Sequence, residues 1–183
     1  MFARTERLLL RPGWIEDAPA LHAAVADEAV VRNLAHAPWP YTRLDAERFL
    51  TRERPPHEPS SLIFLRTDGA PRLIGGIGFG RTPANELELG YWIARPYWGR
   101  GYASEAGRAV IDHARESLRI PRLTAGHFLD NPASGRVLAK LGFHPVGRIA
   151  LRYSAGRGEP VPCRLFEIEL VTADDAATAA MAA

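Results

Sequence analysis

The chain has 183 residues, of which 46% are hydrophobic and 24% are charged, and it carries a formal net charge of +2 at pH 7. These values fit one globular domain, exclude wholesale disorder and give no electrostatic argument for nucleic-acid binding. Cys163 is the only cysteine, which excludes an internal disulfide and a cysteine metal cluster. Because the chain shows neither a signal-peptide core nor a run of about 20 apolar residues, we expect a cytoplasmic protein without a membrane contact.

The first half of the chain predicts two helices and an antiparallel sheet. Apolar spacing at three and four residues indicates helices, and short apolar or alternating runs between turn residues indicate strands. The predicted elements are a strand at 7–11, helices at 16–29 and 42–54, a hairpin of strands 61–66 and 72–80, and a strand at 86–94. Thr42, with Asp45 three residues later, predicts the cap of the second helix.

The second half predicts helices that alternate with strands. The predicted elements are a helix at 101–117, a strand at 122–128, a helix at 131–141, and strands at 143–153 and 163–171. Together with the antiparallel first half, this order predicts an α/β (α+β) fold with a mixed sheet. We assign residues 1–171 to a single domain and the Ala-rich residues 172–183 to a flexible tail.

Two glycine-containing segments raise the question of anion binding. The run at 75–80 is followed by a turn and another strand, so its glycines predict close approach within a bent strand and not a phosphate loop. The loop at 98–103 (WGRGYA) instead leads from a strand into a long helix. Its backbone N–H groups, with the helix dipole, predict a diphosphate site, although an ordinary helix cap fits equally well. The N–H groups concerned belong to Arg100, Gly101, Tyr102, Ala103 and Ser104.

A second polar segment follows the strand at 122–128. Asn131 can offer its side-chain amide to a peptide-like group of a ligand, or it can simply cap the next helix. Ser134 lies in the first turn of that helix, where a purely structural role is the alternative.

These two segments together resemble the Gcn5-related N-acetyltransferase (GNAT) superfamily, and most closely its RimJ/RimL-like branch of ribosomal-protein-alanine acetyltransferases. The resemblance is carried by residues 98–103, 131–134 and 141–143, and residues 5–12 and 89–93 are similar to the same branch. It covers residues 5–170. It implies a single domain with a mixed, mostly antiparallel seven-stranded sheet, flanked by helices and splayed between the strands at 86–94 and 122–128.

The resemblance implies acetyl-CoA as co-substrate and no metal. Residues 100–104 would hold the pyrophosphate, the backbone of Trp92 and Ile93 would pair with the pantetheine arm, and Asn131 would contact that arm. Trp98 stands where the superfamily pattern has Arg or Gln. Leu138 stands where many members carry a tyrosine general acid, so the branch suggests Ser134 for protonation of the leaving thiolate.

Transfer to an amine requires a group that removes a proton, because an alkylammonium has a pKa of about 10. The resemblance favours Glu88 as the base or as the holder of a water, and a solvated carboxylate is the alternative. His127 is the rival base, since an imidazole has a pKa of about 6.5. Lys140 is the only lysine, so we expect direct attack by the acceptor rather than a lysine-linked intermediate.

The acceptor is expected to be a primary amine, either a protein N-terminus or a small molecule. Trp39 and Tyr41 are candidate walls of its pocket, or else core or dimer contacts. Exposed aromatic residues such as Trp39 suggest a homodimer. Two other functions remain open at this point, a non-catalytic acyl-CoA sensor and an RNA-associated accessory protein, and the near-neutral charge disfavours the second.

Overall fold

The fold is built on one sheet whose strands run in the order β1-β2-β3-β4-β5-β6-β8-β7. The structure is a computed structural model that describes residues 1–55 and 57–170. The strands are β1 (Ala3–Arg4), β2 (Leu8–Arg11), β3 (Ser60–Leu65), β4 (Arg72–Arg81), β5 (Leu87–Ile93), β6 (Arg122–Phe128), β7 (His144–Ser154) and β8 (Glu159–Glu169). The helices are α1 (Ala18–Val25), α2 (Glu28–Val31), α3 (Arg43–Thr51), α4 (Tyr102–Glu116) and α5 (Pro132–Lys140).

The fold class is confirmed, with two local corrections. Within residues 1–55 and 57–170, the sheet has eight strands and not seven, because the two-residue strand β1 is too short to show an alternating pattern in the sequence. The helix predicted at 16–29 is divided, since Asp27 accepts a hydrogen bond from the N–H of Ala29 and starts α2 as a separate helix. The tail predicted at 172–183 lies outside the described residues.

The predicted splay lies between β5 and β6, the parallel pair at the centre of the sheet. All other neighbouring strands in the order are antiparallel. Although each of these two strands has seven residues, they pair only at Glu88–Thr124 and Leu89–Ala125. The strands therefore part beyond Leu89, and Glu88 lies at the apex of the opening.

Helices cover both faces of the sheet, and each face has its own core. The α4/α5 face buries side chains such as Leu89 of β5 and Leu138 of α5. The α1/α3 face buries Leu21 and Leu62, with Trp92 of β5 packed against them. A fully buried leucine contributes about 1.5–3 kcal/mol, so these two cores fix which residues of β5 face each side.

The glycines of β4 permit close approach, as predicted. A Cβ atom on Gly76 would lie 2.6 Å from Nε1 of Trp92, and one on Gly78 would lie 2.7 Å from the carbonyl oxygen of Pro59. Both contacts are shorter than side chains tolerate. The glycines thus let Trp92 and the start of β3 lie directly against the strand.

Candidate active site

The N-terminus of α4 presents bare backbone. Gly99 and Gly101 have φ values of 75° and 81°, and Gly101 is the N-cap residue without any side-chain cap. The N–H groups of Tyr102, Ala103 and Ser104, in the first turn, have no intrahelical acceptor. Because a Cβ atom on Gly99 would meet nothing within 4 Å, this turn and the positive end of the helix dipole are open to an anion.

Two long-range hydrogen bonds hold this loop in place. The indole Nε1 of Trp98 donates to the carbonyl oxygen of Ile93 at 2.6 Å, which ties the loop to the end of β5. The guanidinium of Arg7 donates to the carbonyl oxygen of Arg100 at 3.1 Å. Sequence reasoning missed both roles, because neither bond leaves a periodic pattern, and Arg7 lies far from the loop along the chain.

Glu105 lies in the first turn of α4, where its negative charge is balanced by the N-terminal segment. It accepts hydrogen bonds from the hydroxyl of Thr5 at 2.6 Å and from the backbone N–H of Arg7 at 2.9 Å. It also pairs with the Arg7 guanidinium. Burial alone would raise the pKa of Glu105, but these hydrogen bonds and the Arg7 charge outweigh it and lower that pKa below 4.5. Arg7 therefore keeps the carboxylate from repelling an anion bound beside it.

The open edge of β5 offers backbone groups to a ligand in the splay. The N–H of Ala94 donates to Ile74 of β4 at 2.7 Å. Because N–H direction alternates along a strand, the N–H groups of Tyr91 and Ile93 point away from β4 toward the splay, and that of Trp92 points to β4. Pairing of Ile93 with a pantetheine arm stays a prediction. The N–H of Trp92 does not face the splay. What Trp92 can offer to a ligand is its indole ring, which lies on the α1/α3 face.

Ser134 meets Tyr91 on the α4/α5 face. The Tyr91 hydroxyl lies 2.7 Å from Oγ of Ser134 and donates to its carbonyl oxygen at 3.0 Å. Burial raises the pKa of Tyr91 to about 12, and the hydrogen bond with Ser134 opposes that rise. The pair is therefore protonated at neutral pH. Leu138 is fully buried in the core, so it contributes only packing.

Asn131 caps helix α5, which is the structural role given above as the alternative to ligand binding. Its Oδ1 accepts from the N–H of Ser134 at 3.3 Å, and its Nδ2 can still donate to a ligand. The preceding residue, Asp130, pairs with Arg157 at 2.8 Å and with Arg32 at 3.0 Å. The Arg157 hydrogen bond is the main reason that the pKa of Asp130 is lowered, against the effect of burial. These ion pairs join the start of α5 to α2 and to the β7–β8 turn.

Glu88 faces the opposite side of the sheet, where it meets Arg152 of β7. Nη1 of Arg152 lies 2.6 Å from Oε1 and 2.5 Å from Oε2 of Glu88. Only the contact with Oε1 has hydrogen-bond geometry, so Oε2 is buried without a hydrogen-bond donor among the residues that the structure describes. Both oxygens of this carboxylate therefore contact the Arg152 guanidinium at the apex of the splay, one of them through a hydrogen bond.

The path of Arg152 to Glu88 depends on a glycine in β6. A Cβ atom on Gly126 would lie 2.8 Å from Sγ of Cys163 and 3.4 Å from Nη1 of Arg152. Burial raises the pKa of the Cys163 thiol, with a further rise from Glu88 that Arg152 opposes. The thiol is thus neutral and a poor nucleophile, which favours direct transfer over an acyl-cysteine.

His127 lies on the opposite face of the sheet from Glu88. By strand alternation it lies on the α4/α5 face, where its ring packs 5.5 Å from the ring of Phe166, centroid to centroid. A Cβ atom on Gly135 of α5 would lie 2.7 Å from its Nε2, so the helix covers the ring. The geometry favours Glu88 as the group that receives a proton.

Trp39 and Tyr41, the candidate walls of the acceptor pocket, lie in different environments. Tyr41 is buried in the α1/α3 core and stacks on His22 with ring centroids 6.5 Å apart. Burial, with a smaller effect from Asp45, raises the pKa of Tyr41 to about 12. This core role is the alternative foreseen for Tyr41. Trp39 is exposed, and its part in an acceptor pocket stays a prediction.

In residues 1–55 and 57–170, no group of three or more His, Cys, Asp or Glu side chains could hold a metal ion. Within the same described ranges, every helix is too short or too polar to cross a membrane.

Known proteins resemble this chain over most or part of its length. The N-acetyltransferase YoaA of Bacillus subtilis (strain 168) is 28% identical over 171 residues, which cover 90% of this chain and 94% of YoaA. The ribosomal-protein-serine acetyltransferase of Escherichia coli (strain K12) is 38% identical over 73 residues, covering 39% of this chain and 41% of that protein.

Solved structures share the fold. A GNAT acetyltransferase from Bacillus anthracis superposes with a TM-score of 0.77 at 25% identity, covering 92% of this chain and 98% of that one. RimL, a ribosomal α-N-protein acetyltransferase in complex with coenzyme A, superposes with a TM-score of 0.74 at 20% identity, covering 93% and 98%. A family model described as an acetyltransferase (GNAT) domain matches residues 7–144. The chain therefore belongs to the GNAT family of N-acetyltransferases.

Proposed function

We propose that this enzyme transfers an acetyl group from acetyl-CoA to a primary amine by direct attack in a ternary complex. The observation that carries the proposal is that β5, which parts from β6 beyond Leu89, leads along the chain into the open first turn of α4. The first turn suits a pyrophosphate, since Gly99 and Gly101 leave its backbone uncovered. The parted strands suit an extended arm that pairs with the free edge of β5.

Each residue has a distinct task in this proposal. The N–H groups of residues 102–104 bind the phosphate oxygens, and Asn131 orients the arm through Nδ2. Oε2 of Glu88 takes the proton of the incoming ammonium, directly or through a water. The Ser134 hydroxyl gives a proton to the departing sulfur, and a splay-facing N–H of β5 stabilises negative charge on the carbonyl oxygen.

Bound acetyl-CoA supplies a thioester carbonyl as the acetyl source. The amine nitrogen forms a bond to that carbonyl carbon, and the carbon–sulfur bond breaks. The proton lost by the amine is accepted on the Glu88 side, and the sulfur leaves with the bonding electron pair and is protonated on the Ser134 side. The ammonium loses two protons in all through Glu88, which passes them to water, and water returns one proton to Ser134. One proton is thus released per turnover, and atoms and charges balance without a metal or a covalent enzyme intermediate.

Titration calorimetry with coenzyme A tests the binding half of the proposal. We expect saturable binding, and we expect Gly101→Val to weaken it at least about tenfold, because the side chain strains a left-handed residue and covers the first turn. Gly158→Val is the matched control, since Gly158 has a φ of 69° at the β7–β8 turn and open space around it. The absence of saturable binding at millimolar coenzyme A would contradict the proposal.

Thiol release from acetyl-CoA, measured against a panel of primary amines, tests the catalytic half. Amine-dependent release is expected for the enzyme. A protein that binds coenzyme A without consuming acetyl-CoA in the presence of any amine would instead be an acyl-CoA sensor, a role that the buried Leu138 in place of a tyrosine leaves open.

A further inference from the structure

We propose that Trp98 is a positioning residue for the pantetheine arm of coenzyme A, because its indole N–H satisfies a backbone carbonyl that a bound arm would otherwise bury without a hydrogen bond. This inference rests on the function proposed above and adds one residue to its coenzyme site. Trp98 stands where the superfamily pattern has Arg or Gln, so that pattern does not supply this role.

The carbonyl concerned belongs to Ile93, the last residue of β5. The next residue, Ala94, donates its N–H to the carbonyl oxygen of Ile74 in β4 at 2.7 Å. The N–H and C=O of one strand residue point to the same edge, and those of the next residue point to the opposite edge, so both groups of Ile93 point away from β4. Pairing of β5 with β6 ends at Leu89. The Ile93 carbonyl therefore faces the splay, where the arm is proposed to lie.

Trp98 reaches this carbonyl because the chain makes a single turn after β5. The N–H of Tyr97 donates to the carbonyl oxygen of Ala94 at 2.9 Å, and the N–H of Trp98 donates to that of Arg95 at 3.2 Å. The turn brings Nε1 of Trp98 to 2.6 Å from the carbonyl oxygen of Ile93. Trp98 is 45% exposed and precedes the first turn of α4, so along the chain it lies between the two parts of the proposed coenzyme site.

The chemistry of the arm explains why this carbonyl needs a partner from the protein. The two amides of pantetheine are separated by two carbons, whereas successive amides of a peptide strand are separated by one, so the arm cannot match every group of a peptide edge. An edge carbonyl that the arm covers without donating to it loses its hydrogen bonds to water and gains none. Trp98 supplies the missing donor at Ile93 and leaves the N–H groups of Tyr91 and Ile93 for the arm.

Calorimetry with two ligands tests the proposal. Trp98→Phe keeps an aromatic ring and removes the N–H, so coenzyme A should bind about tenfold more weakly to it than to the unaltered protein. ADP, which has the pyrophosphate but no arm, should bind both proteins equally, because the Ile93 carbonyl of the variant then stays in contact with water. Trp14→Phe is the matched control and should change neither affinity, since Trp14 is 51% exposed and stacks on Arg11 ahead of α1.

The ratio of the two affinities separates this role from a purely structural one. Equal losses for coenzyme A and ADP would mean that Trp98 only holds the loop at 98–103, and this result would overturn the inference. An unchanged affinity for coenzyme A in Trp98→Phe would overturn it as well. Both results leave acetyl transfer intact, because the unaltered protein still binds the coenzyme. A lack of saturable coenzyme A binding by the unaltered protein would overturn both proposals.

Hydrogen exchange of the indole N–H groups gives a second test that needs no variant. In the unaltered protein, coenzyme A should slow exchange of the Trp98 indole N–H at least about tenfold, because the arm covers its hydrogen bond to Ile93. The exchange rate of the Trp14 indole N–H should stay the same. NMR of the protein with and without coenzyme A measures both rates. If Trp98 exchanges equally fast in the saturated complex, the arm does not cover this bond, and the inference is overturned even where Trp98→Phe fails to fold.

Discussion

The two proposed proton transfers involve residues on opposite faces of the sheet. Glu88 lies on the α1/α3 face in contact with Arg152, and Ser134 lies on the α4/α5 face against the Tyr91 hydroxyl. One side chain can therefore accept a proton while another donates one, without the two groups neutralising each other. His127 lies on the donor side, under α5.

Replacement of Glu88 tests the acceptor side. Glu88→Gln should lower kcat about 100-fold and leave coenzyme A affinity unchanged, because the amide cannot take the ammonium proton. Steady-state rates and calorimetry measure the two effects. Glu169→Gln, an exposed position at the end of β8, is the control and should be silent. If Glu88→Gln keeps full activity while His127→Ala is inactive, the base is His127 and not Glu88.

Replacement of Ser134 and Tyr91 tests the donor side. Ser134→Ala should lower kcat about 100-fold, and Tyr91→Phe only about tenfold, since Tyr91 orients the serine hydroxyl in this scheme. Because the pKa of Tyr91 is raised to about 12, its hydroxyl stays protonated through the usual assay range, and neither loss should depend on pH between 7 and 9. A larger loss in Tyr91→Phe would make the phenol the proton donor.

At the scale of elements, helix α4 carries the proposed anion site but relies on the N-terminal segment for its charge balance. Thr5 and Arg7 surround Glu105 with hydrogen bonds, and Arg7 reaches on to Arg100 in the loop. The carboxylate, the guanidinium and the loop therefore form one unit. A change in the protonation of Glu105 therefore alters the support of the loop at 98–103.

This unit predicts an acid-sensitive contribution to stability. The pKa of Glu105 is lowered in the folded protein from 4.5, so its contribution is present above about pH 4.5 and is lost as pH falls through the lower folded value. Glu105→Gln should cost about 2 kcal/mol at pH 7, a drop in Tm of about 4–8 °C, and much less near pH 3. Thermal unfolding at both pH values measures this, with Glu116→Gln on the same helix as control. An equal drop at both pH values would contradict the linkage.

At the scale of the whole molecule, the edge strand β7 leaves an apolar stripe uncovered. Ile149, Leu151 and Tyr153 are 53%, 72% and 61% exposed and lie on one face of the strand by alternation. Edge strands with exposed apolar side chains tend to pair with other chains. The stripe is therefore where we expect a second copy to bind in the predicted homodimer.

Light scattering after size exclusion tests this expectation. The unaltered protein should have the mass of a dimer, and Leu151→Arg should shift it to a monomer, because a charge would be buried at the contact. Leu44→Arg is the control, since Leu44 is exposed to a similar degree on α3, away from β7. A monomeric unaltered protein would contradict the homodimer.

The sequence predicted the structural features that depend on residues close together along the chain. The period of β5 assigned Glu88 and Tyr91 to opposite faces, and the pattern around Gly101 indicated an open helix start. It did not predict the partner of Glu88, because Arg152 lies two strands beyond β6 in the sheet and 64 residues away along the chain. The same holds for Arg7 and Glu105, whose contact depends on how β2 packs against α4.

The placement of the two candidate proton-transfer groups on opposite faces of the sheet has a kinetic consequence. In the proposed scheme, coenzyme and acceptor approach the apex from different sides, so neither blocks the entry or exit of the other. The two substrates can then bind in either order, and double-reciprocal plots should intersect rather than run parallel. Free coenzyme A should compete with acetyl-CoA alone, while the acetylated product should compete with the amine alone.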